Sequence, residues 1–203
     1  MKQFIKIFLQ KIHLLKLLQS LDPRINAQSI VRNKIKQAVV KKYAKKFNHS
    51  IFIETGTYKG DMINAVKHIF SKIHSIELSP EFFKKAQERF SDVKNVYLYY
   101  GDSSTVLREI LKEIKSPVLF WLDAHYSKGL TARGKIDTPI LEELTTILNH
   151  QIKTHTILVD DARCFNGTND YPPLQEVEEF IKNIAPHYRV EVSNDIIRIT
   201  NSL

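Results

Sequence analysis

The chain predicts an α/β fold. Its core is a central, mostly parallel seven-stranded sheet ending in an antiparallel hairpin, with helices on both faces and a helical extension at the N-terminus. Three observations predict it. From residue 51 onward, short apolar runs alternate with amphipathic helical stretches, the pattern of a parallel sheet covered on both sides. Two strand-like runs joined by Ser193-Asn194-Asp195 close the chain, which is a hairpin signal. Acidic residues recur where the predicted strands end, and open α/β sheets bind ligands at those carboxyl ends.

The charge divides the chain. Its 203 residues carry a net charge of +8. Residues 1–49 hold ten Lys and two Arg against the single Asp22, a net charge of +11, whereas residues 50–203 are net −3. The sequence therefore reads as a basic helical extension, 1–49, ahead of an α/β domain, 50–203. Because the basicity belongs to the extension, it argues against nucleic-acid binding by the domain. The extension itself could hold phosphates, but it has few aromatics for base stacking. The single cysteine, Cys164, excludes an internal disulfide framework and favours a reducing compartment, the cytoplasm.

Within residues 1–21, Phe4, Ile5, Phe8, Ile12, Leu15 and Leu18 recur at helical spacing. Lys2, Lys6, Lys11 and Lys16 break every apolar run, which excludes a membrane span and the apolar stretch of a signal peptide. Such a helix can lie on the anionic inner face of a membrane. It can also pack on its own domain or on a second subunit, the commoner use of an amphipathic helix. Asp22-Pro23 ends it, since the residue before Pro avoids the α region. A second basic helix is expected over 27–47, and Asn48-His49-Ser50 marks the boundary.

The domain's elements then follow in order. Strand one is expected at Ile51–Thr55 and a helix at about Gly60–Phe70. Strand two is Ile73–Glu77, after which Ser79-Pro80-Glu81 starts a helix with Ser as N-cap and Pro in the first turn. Strand three is Val96–Tyr100, with a helix at about Ser103–Ile114. Strand four, Val118–Asp123, is a nearly continuous apolar run that suits a central strand. Residues 124–137 read as a loop, and Thr138-Pro139 starts the next helix. Strand five is Thr156–Asp160, followed by a loop over Ala162–Pro173, a helix over Leu174–Ile184, and the hairpin Tyr188–Val192 with Ile196–Thr200.

The turn after strand one reads Glu54-Thr55-Gly56-Thr57-Tyr58-Lys59-Gly60. Five βα units, a closing hairpin and this acidic, glycine-containing turn resemble the class I S-adenosylmethionine-dependent methyltransferases, over roughly residues 50–200. That family's turn is acid-x-Gly-x-Gly-x-Gly, and here Tyr58 replaces the middle glycine. It is not the dinucleotide fingerprint, which needs Gly-x-Gly-x-x-Gly. The resemblance implies a Rossmann-like methyltransferase fold. It also implies S-adenosylmethionine contacts from Glu54, Gly56, Thr57, Tyr58 and Gly60, from Glu77 and Leu78, from Asp102 and Ser103, and from Asp123. Gly56 would let the backbone approach a ligand closely, and the Glu77 carboxylate offers an acceptor oxygen to each ribose hydroxyl. Taken alone, Asp102 reads equally as a helix N-terminal charge.

Asp123, Asp160 and Asp161 are expected at adjacent strand ends, where three carboxylates repel one another unless protonated or bound to a cation. Oxygen ligands suit Mg²⁺ or another hard divalent cation. The alternative is a strand-end turn in which Arg163 neutralises one acid. His125, two residues beyond Asp123, has a side chain that can accept a hydroxyl proton near neutral pH. The trio looks like that of the metal-dependent O-methyltransferases acting on macrolide sugars and the cephalosporin-hydroxylase-like group. The resemblance implies Asp123, Asp160 and Asp161 as metal ligands, and His125 with Asp123 as the catalytic pair.

The implied activity is methyl transfer to a hydroxyl of a sugar, glycan or other small molecule. Gly129 and Gly134 could hinge the 124–137 loop as a lid. Its Lys128, Arg133 and Lys135 would favour an anionic acceptor, and Tyr126, Phe165 and Tyr171 could stack on a sugar. Two other classes stay open: an RNA-associated methyltransferase or binding protein, and a methyltransferase-like fold catalysing a different metal-assisted reaction. The N-terminal helices could also join subunits.

Overall fold

The computed structural model describes residues 27–123 and 138–201. The amphipathic stretch 1–21, the whole 124–137 loop and, with it, His125 lie outside the described residues. Two compact units divide the chain, residues 1–38 and Val39–Leu203. Helix α1, Ala27–Lys46, begins in the first and ends in the second.

In the second unit the strands are β1 (Ile51–Thr55), β2 (Lys72–Glu77), β3 (Val96–Tyr100), β4 (Val118–Leu122), β5 (Thr156–Val159), β6 (Tyr188–Ser193) and β7 (Ile196–Asn201). The intervening helices are α2 (Asp61–Val66), α3 (Pro80–Arg89), α4 (Ser103–Lys112), α5 (Ile140–Leu148) and α6 (Leu174–Ile184). The sheet runs β3-β2-β1-β4-β5-β7-β6, with β1 to β5 parallel, β7 antiparallel to β5 and β6 antiparallel to β7. The order reverses between β1 and β4, the place where open α/β sheets bind ligands at their carboxyl ends. Register there sets Thr55 beside Ile76 on one flank and Leu122 on the other, and Leu122 beside Val159.

Side-chain alternation along the strands sorts the core into two layers. Ile53, Ile76, Phe120 and Ile157 face α4, α5 and α6 through Leu107, Leu111, Leu144, Ile147, Val177 and Ile181. Phe52, Ile73, Leu119, Trp121 and Leu158 face the opposite way, onto Ile63, Val66, Ala86 and Phe90 and onto Val39, Val40, Tyr43 and Ala44 of α1. All five residues of β4 are buried, as a central strand with helices on both sides requires.

Two helices stop earlier than their apolar spacing predicts. Regular α2 ends at Val66 rather than near Phe70 because Asn95 Nδ2 donates to the carbonyls of Lys67 and Phe70 (2.9 and 2.8 Å), satisfying the helix end from outside. Phe70 then turns inward to stack on Phe52, with ring centroids 5.0 Å apart. Helix α4 ends at Lys112, two residues before Ile114, in a tightened turn where Glu113 and Ile114 donate to the carbonyls of Ile110 and Leu111. Strands β4 and β5 each end one residue before the expected aspartate, although Asp123 and Asp160 still donate their amides to Thr55 and Leu122. No described helix is long and apolar enough to cross a membrane.

At the amino ends of the strands a histidine chain fastens β4. Val118 N–H donates to His155 Nδ1 (3.1 Å), so that nitrogen is unprotonated and Nε2 carries the hydrogen. His155 Nε2 then donates to His150 Nδ1 (2.9 Å), and His150 Nε2 donates to the Leu111 carbonyl (3.1 Å). Each ring is thereby fixed as one neutral tautomer.

Candidate active site

The turn after β1 is tight because three of its residues have positive φ: Gly56 (83°), Tyr58 (47°) and Gly60 (73°). Glycine is obligatory at 60, since a Cβ there would lie 2.5 Å from the Phe90 ring. Tyr58 occupies the left-handed region despite its side chain, a conformation that costs about 1 kcal/mol for a non-glycine residue. Its ring packs on Phe82 of α3, with centroids 4.6 Å apart.

Glu77, ending β2, joins the turn to the next loop. Its Oε2 accepts the Tyr58 amide (2.7 Å) and its Oε1 accepts the Ser79 amide (2.8 Å). Each oxygen keeps a second lone pair, so the carboxylate is held in one orientation and can still accept two hydroxyl donors. Gly56 and Thr57 both donate to the Ile76 carbonyl, fixing the turn against β2. Ser79 is the α3 N-cap, as its sequence position predicts, and Leu78 beside it is half-buried.

Glu54 lies beneath the turn, 2% exposed. Ser75, its register partner on β2, donates to Glu54 Oε2 (2.7 Å), and Thr57 donates to Ser75 (2.6 Å). Burial pushes the Glu54 carboxyl up to about 8, opposed by the Ser75 hydrogen bond and reinforced by the charges of Asp123, Glu77 and Asp61. It is therefore largely neutral at pH 7 in the free protein.

Asp102 caps α4: its Oδ1 accepts the Ser104 amide (2.9 Å) and hydroxyl (2.6 Å). The helix-cap role is thus realised, and it fixes the loop that begins at Gly101 and holds buried Ser103. Asp123 is half-buried beside Thr55, whose Oγ1 accepts the Asp123 amide (3.3 Å).

The acidic groups expected to hold a metal divide between two places. Asp123 and Asp160 line one cleft together with Leu122, Thr138, Ile140, Glu143, Val159, Phe165 and Tyr171. Asp160 Oδ1 accepts the amide of Asp161 (2.8 Å). Asp161 sits in the left-handed region (φ 54°), and its Oδ1 accepts from Arg163 Nη1 (2.9 Å). Arg163 also pairs with Asp195 of the hairpin turn. Among the described residues no group of three or more His, Cys, Asp or Glu side chains is arranged to hold a metal ion. Phe165 and Tyr171, expected as pocket aromatics, do line the cleft and meet edge to face at 5.2 Å.

Glu143, in the first turn of α5, is a cleft residue that the strand-end pattern misses. It is 1% exposed, and its Oε1 has no hydrogen-bond partner among the described residues. Burial pushes it up to about 7, lowered by hydrogen bonds from Ser103 and Thr55 and raised by Asp102 and Asp123. A signal for it exists in the sequence: Ile140, Leu144, Ile147 and Leu148 form the buried stripe of α5, and Glu143 falls on that stripe at the i+3 position.

No protein-family model and no curated protein sequence matches the chain. Solved structures do. The S-adenosylhomocysteine-bound methyltransferase PaMTH1 of Podospora anserina is similar at 18% identity and a TM-score of 0.58, over 83% of this chain and 78% of that one. The O-methyltransferase TomG of Streptomyces achromogenes, solved with S-adenosylmethionine, gives 16% and 0.59, over 82% and 78%. An O-methyltransferase from Bacillus cereus in complex with S-adenosylhomocysteine gives 15% and 0.59, over 82% and 81%. With its 3-2-1-4-5-7-6 sheet and its cluster of polar loops at the carboxyl edge, the chain has the class I S-adenosylmethionine-dependent methyltransferase fold.

Proposed function

We propose that this protein is an S-adenosylmethionine-dependent methyltransferase that methylates a hydroxyl of a small molecule. The observation that carries the reading is the Glu77 carboxylate, held by the Tyr58 and Ser79 amides at the end of β2 with two acceptor positions open. When bound, S-adenosylmethionine supplies a methyl group on a positively charged sulfonium. Around it Glu77 accepts the ribose hydroxyls, the Gly56 turn admits the close approach of the ligand, and the Asp102–Ser103 loop borders the base. Glu54, buried and neutral when the site is empty, is placed to ionise against the cofactor's positive end. O-methylation is supported by the O-methyltransferases among the similar structures.

The finer reading from the sequence adds a divalent cation on Asp123, Asp160 and Asp161, His125 as the base and a sugar, glycan or anionic acceptor, in a cytoplasmic protein. The described carboxylates do not fit the cation as arranged, because Arg163 holds Asp161. No step is therefore routed through a metal. His125 remains the proposed proton acceptor, two residues beyond Asp123.

Calorimetric titration of the full chain with S-adenosylhomocysteine, with Mg²⁺ and then with a chelator, tests the reading. Saturable binding in both conditions supports the cofactor site without a metal. Binding that needs Mg²⁺ restores the cation, and no binding in either removes the methyltransferase reading.

A further inference from the structure

The cleft at the ends of β4 and β5 has an unusual lining. Its acidic side chains are Asp123, Glu143 and Asp160, and its aromatic walls are Phe165 and Tyr171. Basic Arg163 is directed to Asp161 and Asp195, outside this lining. We propose, building on the reading of this sheet edge as the acceptor site, that the cleft receives an ammonium group of the acceptor, with Glu143 Oε1 accepting one of its hydrogen bonds.

Four physical points lead there. A hard divalent ion needs several oxygens converging at about 2.0 to 2.6 Å, and the described residues hold no such group. An ammonium needs less: three separate acceptors at ordinary hydrogen-bond distance, strengthened by charge. Glu143 Oε1 is almost completely removed from water and lacks a partner among the described residues. An isolated buried acceptor is costly, so the arrangement favours a donor brought by the ligand. Aromatic faces beside carboxylates attract organic cations, and the same carboxylates repel anions. Among the described residues the lining is acidic and aromatic, which favours a cationic group over the anionic acceptor that the basic loop suggests.

The hydroxyls of Ser103 and Thr55 act on Glu143 and lower its pKa against burial, so the cleft floor borders the proposed cofactor loops. An ammonium seated on it would lie beside Asp123, where β4 ends next to the cofactor turn. A neighbouring hydroxyl of the same acceptor would then be held near the methyl donor.

The test is an NMR titration of the ¹⁵N-labelled full chain with three probes at matched ionic strength: methylammonium chloride, sodium acetate and MgCl₂. Saturable methylammonium shifts at the amides of Asp123, Glu143 and Asp160, absent with acetate, are expected. In Glu143→Gln the methylammonium affinity should fall about tenfold, the loss of one charged hydrogen bond. Equal shifts from acetate, no saturable shift from methylammonium, or displacement of methylammonium by Mg²⁺ would each overturn the proposal. The three wild-type titrations decide it even if the variant fails to fold, and an unaltered affinity in a folded variant also overturns it. S-adenosylhomocysteine titrated into the same samples reports separately on the methyltransferase reading.

Discussion

The backbone amide of Tyr58 donates to the carboxylate of Glu77 at 2.7 Å, so the turn after β1 is fastened to the end of β2 before any ligand arrives. Glu77→Ala removes this bond and the one from Ser79 together with the proposed ribose acceptor. Affinity for S-adenosylhomocysteine is expected to fall by more than the roughly 2 kcal/mol typical of one charged hydrogen bond, with a lower Tm for the free protein. Calorimetry with a parallel melt checks both. An unchanged Kd would remove Glu77 from the ribose.

Glu54→Gln tests the buried acid. A group whose pKa rises on folding, here from 4.5 to about 8, stabilises the fold fully below pH 4.5 and loses that contribution as pH climbs through 8. Wild-type free protein should therefore lose stability across that interval, and the neutral isostere, which keeps an acceptor for Ser75, should lose less. Urea midpoints at pH 5, 7 and 8.5 measure the difference. Parallel curves for the two proteins would mean that Glu54 does not change its ionisation on folding.

Asp160 and Asp161 should part company. Asp161 is held by Arg163, whose side chain is half exposed, so Asp161→Asn costs at most about 1 kcal/mol of stability and leaves cofactor affinity intact. Asp160, 3% exposed and lining the cleft, should leave stability little altered as Asn but reduce methyl transfer once an acceptor is found. Matched melts and turnover assays on the two variants decide. Equal loss of turnover in both would restore the strand-end pair as one functional unit.

The histidine chain predicts acid sensitivity. Burial, with smaller contributions from the charges of His150, His49 and Lys153, pushes His155 down from 6.5 to about 3. A lowered pKa means the stabilising contribution is whole above pH 6.5 and drains as pH falls towards 3. Protonating Nδ1 would also deprive the Val118 amide of its acceptor. Denaturant midpoints between pH 7 and 4.5 should drop more steeply in wild type than in His155→Gln. Matching slopes would show that the ring contributes nothing to the acid limb.

The strand-and-helix alternation, the hairpin at Ser193-Asn194-Asp195 and the acidic ends of β1 and β2 were legible because they rest on local rules: side-chain period, turn chemistry and capping. The Ser79 cap and the left-handed Gly56 and Gly60 follow from such rules, and so does the placing of Glu77 at the carboxyl end of β2. The fate of each carboxylate did not. Whether Asp161 meets an ion or Arg163 depends on Asp195, 34 positions along the chain, which anchors the arginine from the hairpin. Glu143, in the first turn of α5, is closed off from water only because α5 packs against the sheet. The amino-acid order by itself determined which elements form and which residues stand at strand ends, since those are decided within a few residues. Only the tertiary structure decided which acids are paired, buried or open to a ligand, since charge and solvation are set by neighbours that folding brings from elsewhere in the chain.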